Sequence, residues 1–142
     1  MIDVPTGGAV HLFVYGTLRD GRRLAEVVGN ASEWRYVGSA KVSGILYDAG
    51  EYPALLLREG GPPVEGLLVE LADPGAAFAA LDEYEGVDIG LYVRRNCSAR
   101  LINGTERVVW VYEYSRSVEG LRRLDDRSRS PDSWSYRFER RS

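Results

Sequence analysis

The sequence predicts an α+β fold in which short strands form a closed or half-closed barrel with a helix packed against it. Most apolar segments between residues 10 and 114 are short and end at Gly, Pro, Asn or Asp, as β-strands do. One segment, Pro74–Tyr84, combines a strong helix start signal with apolar residues at helical spacing. The 142 residues are enough for one domain with a sizeable core.

The first expected strand, Val10–Tyr15, contains the uninterrupted apolar run Leu12-Phe13-Val14, which is typical of a strand buried on both faces. A short helix is expected at Arg22–Val28, because Gly29-Asn30 is a good helix stop. Asn103-Gly104 is typical of a hairpin turn between two strands. The remaining expected strands are Trp34–Val42, Gly44–Asp48, Tyr52–Leu57, Val64–Leu71, Leu91–Leu101 and Glu106–Tyr114.

The main helix has clear signals at both ends. Asp73 is a good N-cap residue, and Pro74 suits the first helical position. The glycine of Glu85-Gly86 marks the end of the helix. Three apolar residues share one face of the helix and are expected in the core: Ala77, Phe78 and Leu81.

The whole chain, residues 1–142, is expected to be a single domain with its core at about residues 10–116. Residues 117–142 are expected to be a tail of uncertain order, loosely attached over Leu121–Asp132, where Arg, Asp and Ser dominate. Arginines and aspartates are interleaved there, which favours a solvated, self-compensating segment over a nucleic-acid contact. Three aromatic residues alternate near the end, as in a last strand: Trp134, Tyr136 and Phe138.

Composition argues against several classes of function. The net charge of −3 provides no overall basic surface for nucleic acid. Cys97 is the only cysteine and is expected to be a small core residue. His11, the only histidine, stands at a strand start, which argues against a Ser-His-Asp or Cys-His mechanism and excludes a histidine-rich metal site. No apolar run suits a membrane helix or a signal peptide, so a cytoplasmic location without membrane contact is expected.

The first candidate site is the glycine turn after the first strand. Gly16 permits a backbone conformation that is closed to residues with a Cβ atom, and Thr17 and Leu18 follow it. A turn of this kind can direct backbone N–H groups toward a carbonyl or carboxylate of a ligand. The same residues also fit an ordinary strand-ending turn.

The second candidate is the carboxyl group of Glu85. A carboxylate at a helix C-terminus is disfavoured, because that end carries partial negative charge. Asp82 and Glu83 add negative charge nearby, which raises proton affinity where the group is shielded from water. Glu85 is therefore a candidate general base, with Asp82 and Glu83 as lesser candidates. A solvated acidic turn is the alternative interpretation.

Three motifs occur together in a characteristic order: Phe13-Val-Tyr-Gly-Thr-Leu-Arg19, Leu81-Asp-Glu-Tyr-Glu-Gly86 and Leu91-Tyr-Val-Arg94. In this combination the chain resembles the γ-glutamylcyclotransferase-like family, which includes γ-glutamylamine cyclotransferases and AIG2-like proteins. The resemblance covers roughly Leu12 to Arg116, and the tail after Ser117 has no match in the family pattern. Shorter pieces agree with it: Gly44-Ile-Leu-Tyr-Asp48, Tyr52-Pro53, Val64-Glu-Gly-Leu67 and Val111-Tyr-Glu-Tyr-Ser-Arg116.

The resemblance implies a small mixed β-barrel with one main and one short helix packed outside. It implies that Glu85 is the catalytic acid/base. Tyr114 matches a tyrosine that lines the substrate pocket, and Tyr92 is expected to support the pocket wall. The loop whose backbone amides grip the glutamyl group matches four residues: Tyr15, Gly16, Thr17 and Leu18.

The implied reaction converts a γ-glutamyl amine or amino acid into 5-oxoproline and a free amine. The substrate's own α-amino nitrogen attacks its γ-carbonyl carbon, so the resemblance implies no enzyme nucleophile, no metal and no organic cofactor. The expected partner is a small-molecule γ-glutamyl substrate, and the chain is expected to be a monomer or a homodimer. Two alternatives stay open: a non-catalytic module that binds or senses a small acid in the same pocket, and a structural or interaction protein.

Overall fold

Strands dominate the computed structural model, which describes residues 10–16, 20–29, 32–50 and 53–124. Within these ranges the chain forms seven strands, two α-helices and a short 3₁₀ helix at Val87–Ile89. The helices are α1 (Gly21–Val28) and α2 (Pro74–Tyr84). The strands are β1 (Val10–Val14), β2 (Trp34–Asp48), β3 (Pro53–Leu57), β4 (Pro63–Leu71), β5 (Tyr92–Leu101), β6 (Glu106–Tyr114) and β7 (Arg122–Arg123).

Five of the strands close a barrel. Their order is β2-β4-β1-β6-β5, and β5 pairs back with β2 through Ala40–Val42. The β1–β6 pair is parallel, with Leu12 opposite Trp110, and the other pairs are antiparallel. The prediction of an α+β fold with a mixed β-barrel and two helices outside is therefore confirmed.

Strand β1 is buried on both faces, as the apolar run predicts. Leu12 and Val14 pack with residues of both helices, whereas Phe13 belongs to a second cluster formed by residues from the barrel strands. All three side chains are almost fully buried. The main helix also follows its sequence signals: the side chain of Asp73 accepts a hydrogen bond from the N–H of Ala76, and α2 ends at Tyr84.

The prediction of two separate strands at Trp34–Val42 and Gly44–Asp48 is wrong, because β2 runs without a break from Trp34 to Asp48. Instead, the strand that pairs with β2 changes at Gly44. Residues before Gly44 pair with β4, and residues from Gly44 onward pair with β3. A Cβ atom on Gly44 would lie 2.6 Å from the carbonyl oxygen of Leu56, so glycine is required for the close approach of β3.

The beginning of the expected tail is attached to the barrel. Arg122 and Arg123 form β7, which pairs with the end of β2 at Asp48 and Tyr47. The loose attachment expected from residue 121 is thus wrong at β7, because its backbone pairs with the edge of β2 that faces away from β3. The predicted last strand around Trp134, and everything after Leu124, lies outside the described residues.

Candidate active site

The turn after β1 adopts the conformation that its glycine predicts. Gly16 is buried and has a φ of 75°, in the left-handed region that favours glycine. A Cβ atom here would lie 2.9 Å from Cγ of Pro53, the first residue of β3. Both the backbone angle and the contact therefore require glycine. Thr17 and Leu18, predicted to continue the loop, lie outside the described residues.

Tyr15 places its phenol inside the site. The hydroxyl group donates a hydrogen bond to the carbonyl oxygen of Tyr112 in β6. Burial raises the pKa of Tyr15 well above its ordinary value, and the nearby Tyr92 and Glu85 raise it further. The phenol is therefore a neutral hydrogen-bond donor throughout the physiological pH range.

Glu85 follows α2 directly and is fixed by the helix end. Its N–H donates to the carbonyl oxygen of Leu81 at 2.8 Å, as the last turn of the helix requires. Gly86 then takes a φ of 70° and reverses the chain, and its carbonyl oxygen accepts from the N–H of Leu91 at 3.0 Å. The backbone on both sides of Glu85 is thus held in place before β5 begins.

The Glu85 carboxyl group has an unusual environment. Burial, and secondarily the negative charge of Asp82, raises the pKa of Glu85 to about 8. The residue nevertheless keeps part of its surface exposed. No hydrogen bond or ion pair joins this carboxyl group to the described residues. Such a group can take up or release a proton near neutral pH.

Asp82 lies three residues before Glu85 and has partners of its own. Its carboxylate accepts hydrogen bonds from Arg94, at 3.0 Å from Nε and 3.1 Å from Nη2. The hydroxyl group of Tyr112 donates to the same carboxylate at 2.6 Å. Burial alone would raise the pKa of Asp82, but the hydrogen bonds from Arg94 and Tyr112 outweigh it and the pKa is lowered. Asp82 is therefore the ionised member of the two carboxyl groups.

Tyr114 reaches the glycine turn through two intermediate residues. Its ring packs edge-on against the ring of Tyr92, with 5.7 Å between centroids. The hydroxyl group of Tyr92 donates to the carbonyl oxygen of Pro53 at 2.6 Å, and Pro53 abuts Gly16. Tyr92 therefore lies between Tyr114 and the glycine turn, and its role in a substrate-pocket wall stays a prediction.

Glu85 thus lies near enough to Tyr15 to raise the pKa of its phenol. Gly16 follows Tyr15 directly, and Tyr114 is linked to the turn through Tyr92 and Pro53.

Sequence reasoning missed the roles of Arg94 and Tyr112. The sequence did contain a signal that Asp82 and Glu85 lie close together. They are three residues apart on a helix, a spacing that places two side chains on one face.

The environments of Cys97 and His11 bear on the argument against nucleophilic catalysis. Burial raises the pKa of Cys97 to about 11, with a smaller contribution from Glu113, so its thiol stays protonated. His11 lies on β1 with its Nε2 3.2 Å from Nη1 of Arg107. Burial, and then Arg107, lowers the pKa of His11.

The described ranges contain neither a membrane-crossing helix nor a metal-binding cluster. Neither α1, α2 nor the 3₁₀ helix has the length and apolar character of a membrane-crossing helix. In the same part of the chain, no group of three or more His, Cys, Asp or Glu side chains could hold a metal ion.

The described residues thus form a closed mixed barrel with a shielded carboxyl group at the end of its main helix. A scan against protein families matches residues 12–136 to the family described as Gamma-glutamyl cyclotransferase, AIG2-like. The chain belongs to this family. The match continues past Arg116, where the resemblance was expected to stop. A search of curated proteins found no match.

Solved structures share the fold. An AIG2-like protein from Mus musculus aligns with a TM-score of 0.66 and 24% sequence identity, covering 79% of this chain and 82% of the mouse chain. A gamma-glutamyl cyclotransferase aligns with a TM-score of 0.63 and 16% identity, covering 76% and 68% of the two chains. The uropathogenic E. coli-specific protein c4763 aligns with a TM-score of 0.58 and 23% identity, covering 93% and 95%.

Proposed function

We propose that this protein is an enzyme of the γ-glutamylcyclotransferase type, which converts a γ-glutamyl amine or amino acid into 5-oxoproline and a free amine. Family membership supports a cyclotransferase-type activity. One observation carries the proposal for this chain: the Glu85 carboxyl group, at the end of α2 and near the Tyr15 phenol, is shielded from water, and this burial raises its pKa to about 8. The proposed enzyme works in the cytoplasm as a monomer or a homodimer.

The reaction needs only proton transfer and positioning from the protein. With the substrate's α-amino group in its neutral form, its nitrogen attacks the γ-carbonyl carbon and a C–N bond closes the five-membered ring. Glu85 in its ionised form accepts the proton that this nitrogen loses. The bond between the γ-carbon and the departing nitrogen then breaks, and Glu85 returns the proton to that nitrogen. Glu85 ends the cycle ionised, so the step is balanced.

Holding the substrate in its cyclising conformation supplies much of the remaining rate enhancement, because both reacting groups belong to one molecule. In this proposal the backbone N–H groups around Gly16, Thr17 and Leu18 bind substrate oxygens and stabilise the developing oxyanion. The neutral phenol of Tyr15 and the ring of Tyr114 line the same site. The left-handed backbone of Gly16 supports this arrangement, since it turns the chain at the end of β1.

The test is release of 5-oxoproline from a panel of γ-glutamyl compounds that includes γ-glutamyl amino acids, γ-glutamyl-ε-lysine and other γ-glutamyl amines. Wild type is compared with Glu85→Gln, which keeps the shape of the side chain and removes proton transfer. We expect kcat to fall by roughly 10²–10⁴-fold in Glu85→Gln. Glu83→Gln is the matched control, because Glu83 is an exposed acid on the same helix, and it should retain wild-type turnover.

A wild-type rate in Glu85→Gln would remove Glu85 from the mechanism. Absence of turnover across the whole panel, together with binding of 5-oxoproline, would contradict catalysis and favour a module that binds or senses a small acid.

A further inference from the structure

The two carboxyl groups at the end of α2, those of Asp82 and Glu85, differ in their hydrogen-bond partners. Asp82 accepts hydrogen bonds from Arg94 and Tyr112, and its side chain is 29% exposed. Glu85 makes no hydrogen bond or ion pair with the described residues. When two titratable groups lie close together in environments that separate their proton affinities, one of them holds the transferable proton and the other stays charged.

The partner of Asp82 is itself held in place. The guanidinium carbon of Arg94 lies 4.1 Å from the ring centroid of Phe78 and 5.1 Å from that of Trp110. Phe78 belongs to α2, one turn before Asp82, and the two rings pack edge-on. Cation–π contacts and a bidentate ion pair together restrict Arg94 to one orientation. The negative charge of Asp82 therefore has a fixed position relative to the helix end.

Tyr112 extends this arrangement to the glycine turn. Its hydroxyl group donates to Asp82, and its carbonyl oxygen accepts from the hydroxyl group of Tyr15. Tyr112 is almost fully buried, so few solvent contacts compete with the hydrogen bond of its hydroxyl group. A continuous chain of contacts thus joins Arg94, Asp82, Tyr112 and Tyr15, one residue before Gly16.

We propose that Asp82 is a positioning residue for the proton-transfer step: its fixed carboxylate, three residues before Glu85 at the same helix end, favours Glu85 as the carboxyl group that carries the transferable proton. This inference rests on the proposed function for its catalytic meaning. Its electrostatic part, the influence of Asp82 on Glu85, can be tested without turnover.

The charged and titratable groups that face Glu85 come from three elements. Asp82 comes from α2, Tyr15 follows β1, and Tyr112 comes from β6. Burial, and then the hydrogen bond to Asp82, raises the pKa of Tyr112, so both tyrosines stay neutral near pH 8. Asp82 is consequently the group whose negative charge raises the pKa of Glu85 over the pH range in which Glu85 titrates, and Arg94 of β5, bonded to Asp82, carries the opposing positive charge.

The test is a titration of the Glu85 side-chain carboxyl carbon by NMR on ¹³C-labelled protein, with Glu85→Gln identifying the resonance. We expect a midpoint near 8 in wild type and a downward shift of about one pH unit in Asp82→Asn. Asp82→Ala removes the same charge and has good helix propensity, so it replaces Asp82→Asn if that variant does not fold. Glu106→Gln is the control and should leave the midpoint unchanged, because Glu106 is an exposed carboxylate at the other end of the hairpin.

Arg94→Gln separates an electrostatic role from general loosening of the site. This variant keeps the Asp82 charge and removes its partner, so the Glu85 midpoint should stay at its wild-type value or rise. A downward shift in both Asp82→Asn and Arg94→Gln would show that water had entered the site, and it would overturn the proposal. An unchanged midpoint in Asp82→Asn would overturn it as well.

The catalytic part is tested with the best γ-glutamyl substrate. The midpoint of the pH profile of kcat should move in Asp82→Asn in the same direction as the NMR midpoint, while KM changes less than kcat. If no γ-glutamyl compound is turned over by wild type, the proposed function fails, yet the NMR titration still decides the influence of Asp82. If the NMR midpoint moves and the kcat profile does not, the positioning role is contradicted.

Discussion

The two ends of the β5–β6 hairpin carry the same kind of ion pair in different surroundings. At the end near α2, the side chains of Arg94 and Asp82 are 28% and 29% exposed. At the other end, those of Arg100 and Glu106 are 67% and 57% exposed. Water screens the exposed pair, whereas protein atoms and a third partner surround the other. Of these two pairs, the one where the barrel and α2 meet is therefore the one whose charges are expected to interact more strongly.

Two glycines show a similar contrast between the candidate site and the hairpin turn. Gly16 and Gly104 both have positive φ values, of 75° and 90°. A Cβ atom would contact Pro53 at Gly16 but would meet nothing within 4 Å at Gly104 in the hairpin turn. The backbone angle disfavours alanine at both positions, but only Gly16 adds a steric clash beside the site.

The largest effect is expected for Gly16→Ala. The backbone strain and the contact with Pro53 should lower the free energy of unfolding by roughly 2–4 kcal/mol, and turnover should fall because the turn moves. In Gly104→Ala the free energy of unfolding should fall by roughly 1 kcal/mol, because only backbone strain is added, and turnover should be unchanged. Urea denaturation and 5-oxoproline release measure the two quantities. Equal losses of unfolding free energy in the two variants would show that the Pro53 contact adds nothing to the cost of Gly16→Ala.

Tyr112→Phe should have the next largest effect. The change removes the hydrogen bond to the Asp82 carboxylate and leaves the backbone acceptor of Tyr15 in place. A hydrogen bond to a charged group that is partly exposed is worth roughly 1–2 kcal/mol. Urea denaturation at pH 7 measures the loss. A variant as stable as wild type would indicate that Asp82 binds water equally well.

Glu85→Gln should change the dependence of stability on pH. Because the pKa of Glu85 is raised in the folded protein, the folded state binds more protons than the unfolded state between about pH 4.5 and about pH 8. Wild type therefore loses stability relative to Glu85→Gln as the pH rises through this window. The stability advantage of the variant over wild type should therefore be small at pH 5 and should grow steadily as the pH rises to 8.5.

Urea denaturation of both proteins at the two pH values provides the measurement. A stability difference that does not change with pH would mean that Glu85 titrates normally, which would contradict the environment described for it.

The smallest effect is expected for Glu106→Gln. Its carboxylate is exposed and screened, although Arg100 and then Ser98 lower its pKa through hydrogen bonds. We expect no measurable change in Tm or in turnover, because exposed ion pairs contribute little to stability. A marked fall in Tm would show that the two ends of the hairpin are more alike than their exposure indicates.

Local signals were sufficient to predict much of this structure. The bounds of α2 and β6 match their expected residues, because Asp73-Pro74 starts the helix and Asn103-Gly104 sets the hairpin turn. The continuity of β2 was not predictable from such signals, because it depends on a change of pairing partner at Gly44.

Sequence patterns indicated candidate site residues, but they did not indicate the environment of each carboxyl group. The position of Glu85 at a helix end indicated a carboxylate against local preference, yet its burial depends on strands from the whole barrel. The partners of Asp82 are distant in sequence, since Arg94 and Tyr112 lie 12 and 30 residues away. Only the closure of the barrel brings them to the helix.

The central claim is that Glu85 exchanges a proton with the substrate. The most direct measurement is the pH dependence of kcat/KM for 5-oxoproline release by wild type, with the titration of the substrate's α-amino group determined separately. The account predicts an acid limb that rises with pH and has a midpoint near 8, contributed by the free enzyme. A profile that contains only the titration of the substrate, or an enzyme midpoint near 4.5, would contradict it.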